Sequence, residues 1–69
     1  MPLSVAPLNR AVKVVKILAD EKTKKHLESL GITINSEITV LSSAGSIICK
    51  IKDGRLALDK QLATKILIA

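Results

Sequence analysis

One junction limits what this chain can become: Lys24-Lys-His-Leu-Glu-Ser-Leu-Gly-Ile32, running on into Glu37-Ile-Thr-Val40. It is the only clear helix-to-strand transition in the sequence. Leu27 and Leu30 form a narrow apolar stripe, with Thr23 on the same side at helical spacing. Gly31 suits the position just past the helix end, where a left-handed backbone meets no Cβ penalty. With Leu30 as C-cap, Ile32 is placed to touch Leu27, the apolar contact of a Schellman ending. The helix should therefore stop at about Leu30, and Leu30 should join it to the core. At the other end, Asp20 fits the N-cap and Glu21 the positive end of the helix. The exposed side then carries Lys22, Lys24, Lys25 and Glu28, with Glu21 and Lys25 spaced to pair.

The other segments read as short strands, rich in β-branched residues. Residues 1–10 hold both prolines and are expected to be an extended lead-in with a turn near Pro7–Arg10. Ala11–Leu18 is the first strand, but its alternation slips: Val12 and Val14 share one face, Val15 and Ile17 the other. A β-bulge near Val14–Val15 repairs the pattern and bends the sheet. Glu37–Ser42 follows with Ile38 and Val40 inward, then Ile47–Lys52 with Ile47, Cys49 and Ile51 inward. Asp53-Gly54 predicts a two-residue type I′ hairpin into Arg55–Leu58, with Leu56 and Leu58 inward. Asp59–Ala63 suits a single turn of 3₁₀ helix capped by Asp59, and Lys65–Ile68 closes the sheet. Gly31, Asn35 and Gly54 should carry positive φ. The pattern describes a mainly β fold with one inserted helix: a small SH3-like five-stranded barrel, one domain over residues 1–69.

Such a short chain buries only roughly 60% of its unfolded surface, so its core must be dense. Cys49 is the only cysteine, which rules out a disulfide within the chain. The net charge of +5 permits nucleic acid, an anionic membrane surface or an acidic protein face as partner. The absence of any Phe, Tyr or Trp removes the rings on which single-strand binders stack bases and that wall Pro-rich peptide grooves. No stretch resembles a secretory signal or approaches the roughly 20 apolar residues of a membrane span. The expectation is a cytoplasmic protein.

Leu30-Gly31-Ile32 with Ile38-Thr-Val40, then Gly54-Arg-Leu-Ala-Leu58 with Leu62-Ala63 and Ile66-Leu-Ile68, resemble the ferrous-iron transport protein A (FeoA) family. The match covers nearly the whole chain. Two departures stand out. Asn35 and Asn9 fall where members commonly show Gly, and Ile34 where they show Pro. Asn tolerates a left-handed backbone, so both turns can survive. The resemblance implies a cytoplasmic accessory protein of bacterial ferrous-iron uptake, with the membrane transporter FeoB and its GTP-binding domain as partner. It implies no enzymatic activity and no cofactor.

The residues themselves agree on chemistry. His26 and Glu28 are two apart on a helix and point about 200° from each other, so they cannot chelate one ion. Cys49 lies on the inward phase of its strand and reads as a packed thiol. No nucleophile–base set and no Gly-rich phosphate loop is visible. A module of this kind acts through contact. Two surfaces qualify: the helix side with Lys24, Lys25 and His26 at the edge of the Leu27 stripe, and the outward strand positions Leu41, Ile48 and Leu67. The second also suits self-association into a homo-oligomer. No specific nucleic acid is expected as a partner; the competing readings are a small basic barrel binding nucleic acid and a detached SH3-like domain of a metal sensor.

Overall fold

The computed structural model describes residues 1–69. Its central object is a five-stranded antiparallel sheet in the order β4-β3-β2-β1-β5. The strands are β1 (Ala11–Ile17), β2 (Glu37–Ser42), β3 (Ile47–Ile51), β4 (Gly54–Leu58) and β5 (Ile66–Ile68). Helix α1 (Glu21–Ser29) lies between β1 and β2, and α2 (Lys60–Ala63) between β4 and β5. The register of β1 against β5 shifts between Val14 and Lys16, which is the expected bulge. Val15 is the residue displaced: it is 48% exposed, while Val12, Val14 and Ile17 all turn inward. A second shift, between Val40 and Ser42 on β2, has no slip in the sequence pattern to announce it. Two bulges bend the sheet around its apolar face. That face holds a core of 14 residues, all apolar apart from the Cys49 thiol, so no buried charge needs a partner.

Helix α1 starts and stops as its sequence dictates. The Asp20 carboxylate accepts a hydrogen bond from the Thr23 N–H at 2.8 Å, satisfying one orphan donor of the first turn. At the far end the Ile32 N–H donates to the Leu27 carbonyl and the Gly31 N–H to the Glu28 carbonyl, both at 2.9 Å. This is the double bond of the Schellman motif, and Gly31 supplies it with φ +93°. A Cβ there would also lie 3.3 Å from Ile51 Cδ1. Asn35 at φ 72° and Asn9 at φ 61° are the two non-Gly residues with a left-handed backbone, which Asn tolerates.

Several expectations are corrected. The lead-in is not simply extended. Leu3–Val5 is a 3₁₀ turn that packs against α2 and β5, and Leu3 is fully buried. The β3–β4 loop is Lys52–Asp53, with Ile51 opposite Gly54. Only Gly54 has positive φ there, at 143°, so the turn is not type I′. Segment α2 is α rather than 3₁₀, because Ala63 and Thr64 donate four residues back, to Asp59 and Lys60. Leu30 is half-buried and lies outside the core, which receives Leu27 and Ile32 instead. The C-cap position turns Leu30 away once the chain reverses at Gly31.

The Asp20 cap makes stability depend on pH. Hydrogen bonding from Thr23, side chain first and backbone N–H second, holds the Asp20 carboxyl below its ordinary range, with a smaller contribution from Lys65. A depressed folded-state value stabilises the protein above the unfolded value, and that contribution is lost as pH falls through the folded value. Asn caps a helix without titrating. Thermal melts of the parent and Asp20→Asn should therefore converge as pH is lowered from about 7 towards about 2. A difference in melting temperature that stays constant over that range would remove the ionised cap from the account.

Candidate functional site

The end of β1 and the start of α1 bring together residues distant in sequence. Lys16, Lys24 and Lys65 line an open cleft of about 600 Å³, with Ile17, Leu18, Ala19, Asp20 and Thr23. The position of each lysine has a local cause. The bulge at Val15 leaves Lys16 on the solvent side of β1. The Asp20 cap starts α1 so that Lys24 faces back over β1. Lys65 follows α2, and its carbonyl accepts the Leu18 N–H at 2.7 Å, which ties that end of β5 to β1. Lys16 and Lys24 also line a smaller hollow of about 210 Å³ with Ile17, Glu28, Thr33 and Ile34. Lys24 Nζ sits 3.9 Å from Glu21 Oε1, in place of the anticipated Glu21–Lys25 pair. An exposed ion pair of this length is worth little. The cleft therefore keeps a positive surplus over Asp20 and Glu21. It can receive carboxylates or phosphates of a partner.

The two anticipated contact surfaces are built differently. Lys24 belongs to the cleft, whereas Lys25 and His26 lie further round the helix and are exposed. Leu27 is withdrawn from the contact surface: it is fully buried, because it carries the Schellman contact and packs the helix onto the sheet. Leu41, Ile48 and Leu67 are each half-buried. Thr39, two residues before Leu41, pairs with Ala11, and Leu67 pairs with Lys16. Leu41 falls at the second bulge beside Ile48, whereas Leu67 lies two strands away on β5. Ile48 sits between Ser42 and Ala57 on the outward face. Sequence reasoning overlooked Lys16 and Lys65. A bulge that turns Lys16 outward was the one available signal, and nothing local connects Lys65 to α1.

Cys49 is fully buried, its thiol 3.8 Å from the Leu56 carbonyl, and desolvation raises its pKa. A thiol held protonated and covered reacts slowly. Native protein should take up a thiol-specific alkylating reagent only at the rate of unfolding, and rapid labelling of the folded chain would contradict this packing. No cluster of three or more His, Cys, Asp or Glu residues is placed to hold a metal ion. No helix is long and apolar enough to cross a membrane.

The curled five-stranded sheet, the inserted helix and the one-turn helix before the last strand define a small SH3-like barrel. A crystal structure of Stenotrophomonas maltophilia FeoA complexed with zinc superimposes with a TM-score of 0.78 at 21% identity, over 100% of this chain and 89% of that one. That protein is described as a prokaryotic SH3 domain protein with a suggested role as a bacterial ferrous iron transport activating factor. The FeoA domain model matches residues 1–69, and the chain belongs to the FeoA domain family. The crystal structure of an iron uptake regulatory protein (FeoA) is 33% identical, with a TM-score of 0.91 over 100% of this chain and 93% of that one. A manganese-dependent transcriptional repressor in complex with manganese is 26% identical, with a TM-score of 0.86. All of this chain aligns with 35% of the repressor. Comparison with curated proteins gave no match.

Proposed function

We propose that this protein is a cytoplasmic accessory module of bacterial ferrous-iron uptake, which docks on the GTP-binding region of the transporter FeoB and modulates it. Membership of the FeoA family supports the transport context. The iron-uptake and transport roles given for its structural relatives agree with it. The observation that carries the docking mode is the cleft of Lys16, Lys24 and Lys65, which offers an acidic partner face a complementary charge. Complementary charge speeds encounter and fixes orientation more than it prolongs the complex. A docked module modulates its partner to the extent that it binds one nucleotide state more tightly than another. The immobilised protein should retain the transporter's cytoplasmic domain, in amounts that differ between nucleotide-free, GDP and GTP-analogue conditions. No retention in any of the three at low salt would defeat the proposal.

The likeness to a repressor domain favours a second reading, a sensor-type SH3-like module. That reading requires the chain itself to bind a transition metal, which calorimetric titration with Mn²⁺ and Fe²⁺ decides.

A further inference from the structure

The two outer strands of the sheet are treated differently. The edge of β5 is covered: Ile68 donates to the Met1 carbonyl at 2.7 Å, and Pro2 bridges Leu67. The edge of β4 has no such cover. Ile51 and Gly54 flank a two-residue loop, so they form a hydrogen-bonded pair. Alternation along the hairpin then assigns Leu56 and Leu58 to the ladder with β3, and aims the N–H and C=O groups of Arg55 and Ala57 away from it. Neither residue makes a backbone hydrogen bond to a loop or cap. The C-terminal turn of α1, Glu28–Gly31, faces Gly54–Leu56 across an open groove of about 410 Å³. An edge of this kind is a template for another strand.

We infer that the occupant is a second copy of this chain, paired β4 to β4 in antiparallel fashion about a two-fold axis at Ala57. Three observations select the copy. The free groups fall on odd-numbered residues, so Ala57 can pair with Ala57 of the second copy through groups that point outward on both. The same register sets Arg55 opposite Asp59, which is still extended at φ −60° and ψ 139° and exposed. Asp59 caps α2 through Oδ1 alone, leaving Oδ2 to meet the guanidinium. Finally, Arg55 lies directly across from Lys50 on β3, both exposed, a like-charge pair that destabilises the isolated chain. An Asp59 from a second copy relieves it. On the same outward face Ala57 is the cross-strand neighbour of Ile48, so the apolar stripe Ile48–Ala57 continues across the axis into its own copy. An isologous contact of this sort closes at two subunits. The cleft beside β1 and β5 lies at the other end of the strand order, so pairing leaves it open, and the inference does not rest on the proposed docking.

Sedimentation equilibrium of the full chain tests this directly. A contact of one strand pair is small, and a dimer dissociating in the range of roughly 10–500 μM is expected. Arg55→Glu, which places like charges opposite each other twice per dimer, should weaken association by about tenfold or more. Ala57→Pro removes the outward N–H without touching the ladder to β3 and should abolish the dimer. Circular dichroism reports whether each variant folds, and the exposed Arg55→Glu decides the matter alone if the proline variant does not. A parent that remains monomeric at about 1 mM overturns the inference. So does a dimer that Arg55→Glu leaves unchanged.

Discussion

Leu27→Ala is expected to destabilise the protein by about 2–5 kcal/mol, the usual cost of removing a buried Leu side chain together with the cavity it leaves. Leu27 is 0% exposed, and it is the one buried residue of α1, so its side chain is what anchors the helix to the core. The loss therefore uncouples α1 from the sheet as well as hollowing the core. A domain of this length has a margin of roughly 3–10 kcal/mol, so the variant should melt at least about 10 °C below the parent. Leu30→Ala, at a half-buried position outside the core, should cost clearly less. Equal costs for the two would mean that the helix docks through its C-cap and not through Leu27.

Leu3→Ala is expected to cost a similar ~2–5 kcal/mol, although it lies in what reads as a tail. Leu3 is fully buried in the turn that packs on α2 and β5. The same segment covers the β5 edge through Met1 and Pro2. Loosening it exposes backbone groups as well as apolar surface, and amide exchange at Ile68 should accelerate along with the loss in stability. A chemical-denaturation midpoint unchanged from the parent would show that the lead-in is not part of the folded unit.

What was legible in the sequence was local. The end of α1 could be read because Gly31 is the residue a Schellman turn requires, and Leu27 and Ile32 flank it at the right spacing. The bulge in β1 followed from a slip in alternation across Val14 and Val15. Asn35 announced a left-handed turn by its chemistry, whereas the one at Asn9 was suggested only by the family resemblance. The failures were non-local or rested on a neighbour's geometry. Leu3 has no periodic context, and its burial depends on α2 and β5, some sixty residues away in sequence. Asp53-Gly54 carries a strong hairpin signal, yet the register moves the loop back by one residue to Lys52–Asp53. The cationic cleft joins Lys16, Lys24 and Lys65 from three elements, and only the folded sheet brings them together.

Docking by charge is most directly tested by association kinetics between this protein and the cytoplasmic GTP-binding domain of the transporter, measured over a range of salt concentrations. The parent should associate more slowly as salt rises. Lys16→Glu combined with Lys24→Glu should slow association by roughly tenfold at low salt and flatten that dependence, with a smaller change in dissociation rate. Lys25→Glu, further round the helix, should have less effect. A double variant that folds and associates at the parent's rate, with the parent's salt dependence, would contradict the assignment of the cleft as the docking surface.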